Sequence, residues 1–269
     1  MAQFGDIGQT IYRPLDELSI SPEGLSPRLI KNGYDSYSML NGRVYALPLD
    51  PSVQIFLYRT DLFHDAKLCR AYYERFHENL VVPTTYEQYL HAAEFFTRSC
   101  NPDSPTEYGT AMTVIYSNYA AELINSGNSV VVGRVGAAIL PGCKPLLGGG
   151  IVGISRYSQK AEACKQFFHW YYSADVASLL VRLGGTSPIV DAYEDFQNYS
   201  IFPWMNTSKK SFGLGQRGVI NQTPERFSIP KYEFAVGTAV RNVVQDLMTP
   251  ADASRMAQAL YDAADPVCR

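Results

Sequence analysis

Tyr45 to Phe63 reads YALPLDPSVQIFLYRTDLF, an extended apolar run interrupted by one polar island, Asp50-Pro51-Ser52. Val44, Ala46, Leu47 and Leu49 lead into the island, and Val53, Ile55, Phe56, Leu57 and Tyr58 lead out of it. The β-branched and aromatic content predicts two strands. Pro51 has no N–H to give to a ladder and Pro48 restricts Leu47, so the chain is expected to leave one sheet at the island and enter another. A strand that changes sheets lies where a cleft forms between lobes, and Asp50 and Ser52 are expected to face that cleft. Arg59 to Phe63 then starts a helical segment.

Bulk properties exclude several classes of function. The chain has 269 residues, 46% of them hydrophobic, which is enough core for one large domain or two lobes. A formal net charge of -3 and the lack of a basic stripe give no reason to expect nucleic acid or an anionic membrane surface as partner. No apolar run approaches the roughly 20 residues of a membrane helix. Met1 to Asp6 has neither a basic n-region nor an apolar h-region, so no secretion signal is read there. Cys69, Cys100, Cys143, Cys164 and Cys268 are irregularly spaced with no CxxC, which encodes neither a disulfide framework nor a zinc site. His64, His77, His91 and His169 are scattered, and neither HExxH nor GxSxG occurs, so no metal and no serine nucleophile is expected.

Along the chain, Asn41-Gly42 signals a turn just before the strands. Leu68 to Phe76 is expected to be helical, and Thr85-x-x-Gln88 forms a capping box for a clearer helix whose Tyr86, Tyr89, Leu90, Ala93 and Phe96 share one core face. Ala111 to Tyr116 and Ser129 to Leu140 read as strands, with a turn at Pro141-Gly142. Ser158 is expected to open a helix burying Ala161, Cys164, Phe168 and Tyr171, and the next helix, Ala174 to Leu183, stops at Gly184-Gly185. Phe202 to Gln222 reads as loop-rich, with Trp204 inside it. Tyr232 to Leu247 and, after Thr249-Pro250, Ala251 to Ala264 are two amphipathic helices.

The crossing segment, followed in order by PTTYEQYLHAAEFFTR (Pro83 to Arg98), NPDSPTEYGT (Asn101 to Thr110), LGGGIVGIS (Leu147 to Ser155), LGGTSP (Leu183 to Pro188) and FAVGTAVRN (Phe234 to Asn242), resembles the family 1 extracellular solute-binding proteins, the capture subunits of sugar ABC importers. The resemblance implies an α/β fold of the type II periplasmic-binding-protein kind, two lobes joined by crossing strands. Residues 1–48 with 148–190 would form lobe one and 49–147 with 191–269 lobe two. It also implies incompleteness. QTIYRPLDEL (Gln9 to Leu18) is similar to a segment that follows the family's first strand and helix, and only Asn118 to Gly133 stands where the family has a long helical section. The implied task is noncatalytic capture of a small carbohydrate and delivery to ABC permease transmembrane subunits, with no cofactor, outside the cell or in the periplasm. Without a signal the chain would be cytoplasmic if complete. An exported form could close one bridge, Cys69 to Cys100.

Candidate ligand-binding residues follow from the same comparison. Gly149 and Gly150 lie on a return strand that lines the family's cleft, or serve only as a hinge with unusual dihedrals. Tyr232 and Glu233 match a position where the family often has ligand-facing side chains. Trp204 is the first candidate to stack on a sugar ring, with a core anchor as its other reading. Thr186 and Ser187 could donate to hydroxyls or cap their own loop. Two G-x-G-x-x-G matches, at Gly148 and Gly213, lack the strand-to-helix context of a dinucleotide site. Asp50 and Glu233 are the carboxylates a glycosidase reading would need. A scaffold that has lost ligand capture is the further alternative.

Overall fold

A computed structural model of the chain describes residues 4–31, 38–110, 114–124, 127–216 and 229–263. Two units are formed, Gly8–Gly218 and a second made of Met1–Ile7 with Val219–Arg269.

Helix α1 (Phe4–Ile11), a 3-10 turn (Leu15–Leu18) and α2 (Pro22–Leu25) precede a short hairpin of β1 (Met39–Leu40) and β2 (Arg43–Val44). Asn41 and Gly42 turn it with φ of 51° and 75°, the left-handed pair that a two-residue hairpin needs. The organising stretch is then two strands, β3 (Ala46–Pro48) and β4 (Ser52–Arg59), which sit in different sheets. Downstream come β5 (Val114–Tyr116), β6 (Val135–Ala138), β7 (Leu147–Gly148) and β8 (Ile151–Gly153). The strand ladders among the described residues are antiparallel: β4 takes β5, β6 and β7, and β3 takes β8.

The chain thus crosses between sheets twice, and the two passes lie side by side. Pro48 opposes Ile151 and Ser52 opposes Gly148, so Leu49, Asp50 and Pro51 on the outgoing pass face only Gly149 and Gly150 on the return. One extra residue opposite a ladder is a bulge, which bends its strand. Val53, Ile55 and Leu57 enter the main core with Leu47, Leu147, Phe168, Tyr172, Val181 and Ile189. On the other side Phe56 meets Tyr89 edge to face and Tyr58 meets Phe63. Burial on both faces is why the strand reads as a nearly unbroken apolar run. The main core draws on both expected lobes, with Leu15, Ile154, Ile55 and Trp204 in one cluster.

After β4 come α3 (Thr60–Phe63), α4 (Ala66–Phe76) and α5 (Tyr86–Phe95). Asp65 caps α4 by accepting from the Lys67 and Leu68 amides, and Thr85 with Gln88 forms the expected capping box. The buried face of α5 is rotated from the expected one. Tyr86 and Leu90 are 61% and 64% exposed, whereas Ala92 is buried and Phe95, with Phe96 after it, packs with Tyr72 and Leu80 in a second core. The aromatic side of α4 selects this stripe. Of the strand expected over Ser129 to Leu140 only β6 forms, because Gly133 at φ +74° turns the chain and the Arg134 amide bonds back to the Val131 carbonyl. In the strand expected over Ala111 to Tyr116, residues 111–113 lie outside the described residues.

Helix α6 (Ala161–Tyr171) starts three residues later than expected, since the Ser158 hydroxyl accepts from the Lys160 amide and holds a turn there; it does bury Phe168 and Tyr171. Helix α7 (Ala174–Arg182) ends as the glycine pair predicts, with Gly184 at φ +85° and the Gly184 and Gly185 amides returning to Val181 and Leu180. Two short helices follow, α8 (Asp191–Glu194) and α9 (Phe196–Ile201). The expected loop after Phe202 is instead largely helix α10 (Met205–Leu214), which lies against β4 with Ser208, Ser211 and Phe212 buried. Residues 191–214 reach two distant parts of the chain: Arg28 pairs with Asp191 and Glu194, and Thr207 donates to the Ala137 carbonyl.

In the other unit α11 (Ile229–Val244) and α12 (Pro250–Asp262) form an antiparallel pair, with Thr249 accepting from the Asp252 amide and Pro250 in the first turn. The Cys69–Cys100 bridge that an exported form could close is not formed here. Cys69, Cys100, Cys143 and Cys164 are all free, and Cys69 turns to the Phe63 carbonyl at 3.4 Å.

Candidate ligand site at the strand crossing

The bulge holds Asp50 at the surface and fixes it from below. One carboxylate oxygen accepts from the Gly150 amide, and the Leu49 amide donates to the Gly150 carbonyl at 2.9 Å. Gly149 stands at φ +101°, and a Cβ there would lie 2.2 Å from the Asp50 carbonyl oxygen. A Cβ on Gly150 would meet the Asp50 carboxylate at 2.5 Å, and one on Gly148 the Tyr116 ring at 2.7 Å and the Ser52 hydroxyl at 3.0 Å. The two strands themselves therefore require the glycine run, because only a bare backbone fits so close to the facing pass.

Asp50, Ser52, Gly149 and Gly150 come together here, as expected, and Tyr116 joins them. Ser52 is buried under the bulge, while Tyr116 is half-buried over Gly148 and burial pushes its phenol up. Two further tyrosines tie the outgoing pass to α6. Tyr171 donates to the Leu49 carbonyl, and Tyr172 donates to the Pro48 carbonyl at 2.8 Å. Burial pushes the Tyr171 phenol up to about 12, with the Asp50 charge adding to it. Tyr172 is raised as well, again by burial first.

Thr186 and Ser187 are both buried. The Tyr193 hydroxyl donates to the Ser187 carbonyl at 3.0 Å and accepts from the Ser187 amide at 3.2 Å, and the Ser187 hydroxyl accepts from Ile189. Ser187 thus closes its own loop, and the buried Thr186 hydroxyl has no protein partner. Tyr193 is raised by burial, with Tyr171 adding to it. Trp204 is 5% exposed, packs on Phe202 at 5.4 Å and walls a small cavity with Leu57, Gly136 and Ala137, towards the far end of β4. Its placement is that of a core anchor. Tyr232 and Glu233 are exposed on α11 in the other unit, Tyr232 with its ring 6.4 Å from Tyr261. Asp50 and Glu233 therefore belong to different units.

Sequence reasoning missed Tyr116, Tyr171, Tyr172 and Tyr193 as parts of this site. Tyr171 was legible as a buried helix position, but its hydroxyl contact depends on where the helix docks. The glycine motif from Gly148 runs through β7 and β8 rather than into a helix, and Gly213 lies in the last turn of α10 rather than before a helix. No helix among the described residues is long and apolar enough to cross a membrane.

No protein-family model matches the sequence, and no curated protein does. Solved structures do match. An ABC transporter solute-binding protein from Agrobacterium vitis S4 with bound D-mannitol superposes with a TM-score of 0.68 at 16% identity, over 97% of this chain and 82% of its own. One from Agrobacterium radiobacter K84 in complex with ribitol gives 0.69 at 19% identity, over 96% and 82%. The fold is that of ABC-transporter solute-binding proteins. Maltose-bound T. maritima MalE3 has the same fold, at a TM-score of 0.65 and 17% identity over 96% of this chain and 81% of that one. The chain thus has an α/β fold of the type II periplasmic-binding-protein kind and matches 81–82% of the length of these solute-binding proteins.

Proposed function

We propose that the chain captures a small carbohydrate at the strand crossing, without catalysis, for delivery to the transmembrane subunits of an ABC importer. The observation that carries this is the Asp50 carboxylate, held exposed at a bulge between two sheets with one oxygen anchored on the Gly150 amide. Its second oxygen accepts from ligand hydroxyls, and Tyr116 beside it offers an aromatic face to the C–H side of a ring or polyol. Support comes from the solved proteins of the same fold that hold mannitol, ribitol and maltose. Capture needs no cofactor. A ligand that touches both lobes only when they are shut shifts the open and closed populations by its differential affinity. In this role the protein works outside the membrane, facing its permease.

Isothermal titration with D-mannitol, ribitol, maltose and a manno-oligosaccharide tests the proposal. One ligand class should bind, and Asp50→Asn, which keeps the acceptor for Gly150 but loses the charge, should weaken it roughly 10- to 100-fold. Heat from none of them, with the chain folded, would leave a scaffold without capture. Product release from an oligosaccharide would instead point to an enzyme.

A further inference from the structure

At the far end of β4 from the crossing lies a second cavity, of about 380 Å³. Among the described residues its wall carries six aromatic rings, Phe56, Tyr58, Phe63, Tyr89, Phe96 and Tyr108. Several polar groups of the wall are engaged with the protein itself. The Tyr89 and Thr110 hydroxyls bond each other, Thr106 donates to the Phe96 carbonyl at 2.5 Å, and the Gly109 amide donates to Thr97 at 2.9 Å. Such a wall offers rings and few free acceptors, which suits an apolar body and not a polyhydroxylated one.

Size and charge narrow the occupant. An apolar cavity of about 150 Å³ stays dry and admits benzene, so more than twice that volume admits two fused rings. Arg59 lines the cavity with its side chain 33% exposed and grips Asp61 through two bonds, of 2.7 and 2.5 Å. Arg134 lies 3.9 Å from the same carboxylate. Two guanidinium groups around one carboxylate leave an unbalanced positive charge beside the rings.

We propose that this cavity is a second ligand site, separate from the crossing, which takes a bicyclic aromatic acid with its rings among Phe56, Tyr89 and Phe96 and its anionic group towards Arg59 and Arg134. Calorimetric titration of the full chain with 2-naphthoate tests it, and one-to-one binding is expected. Ala93→Leu on α5 and Val131→Trp on the loop each fill the cavity, and each should lower the affinity at least about tenfold. Arg134→Ser should weaken 2-naphthoate about threefold or more and leave neutral 2-naphthol unchanged. A cooperative melt shows which variants are folded, so that Val131→Trp decides if Ala93→Leu is not. The proposal is overturned by the absence of binding, by undiminished binding in a folded filling variant, or by an equal response of the acid and the naphthol to Arg134→Ser.

Discussion

Gly149 and Gly213 are both glycines in G-x-G-x-x-G patterns, yet their surroundings differ completely. Gly149 holds φ +101° with the Asp50 carbonyl where a Cβ would be, whereas Gly213 is helical with nothing within 4 Å. Gly149→Ala should therefore cost about 2–4 kcal/mol through strain and collision, and Gly213→Ala should add about 0.5–1 kcal/mol by restricting the unfolded chain. Urea melts of the two variants check both signs. At this scale the sequence made Asp50, Ser52 and the glycine run legible, since a polar island in an apolar strand and three consecutive glycines have few other uses. It could not show Tyr116, because that contact exists only through the register that sets Tyr116 opposite Gln54 and its ring over Gly148.

Among the elements, caps were the most legible feature and buried faces the least. Thr85 is a local signal, with its side chain and that of Gln88 closing both halves of the box. Thr85→Ala should cost about 1 kcal/mol, read as a lower denaturation midpoint at unchanged slope. Helix α10 was illegible because MNTSKKSFGL combines weak helix formers with serines that look solvent-facing. Ser208 and Ser211 are buried there, and small side chains let the helix lie close against β4. The face of α5 failed differently. Two apolar stripes overlap on that helix, and the aromatic Tyr72 of the neighbouring helix chooses between them.

For the whole molecule, the two-sheet crossing followed from one stretch of sequence, while the division at residues 7 and 218 had no signal in composition. The crossing also predicts how stability responds to alkali. Tyr171, Tyr172 and Tyr193 are all raised above an ordinary phenol value of 10.0, chiefly by burial, Tyr171 to about 12. A raised folded value means the folded state holds its proton more tightly, so the contribution is complete below the unfolded value and is lost as pH rises through the folded one. The melting temperature should be insensitive to these groups up to about pH 9 and fall steeply between about pH 10 and 12, together with the appearance of phenolate absorbance. Tyr172→Phe should make that fall shallower. Ordinary acid-side behaviour with no alkaline step would contradict the buried tyrosine cluster.

The central claim is that the paired crossing holds the ligand, and hydrogen–deuterium exchange with and without a saturating sugar tests it most directly. Binding at the crossing should slow exchange in the segments 45–59 and 146–154, the Gly150 amide on Asp50 among them. Protection confined to other segments while the sugar binds, or a sugar panel that changes exchange nowhere, would contradict the account.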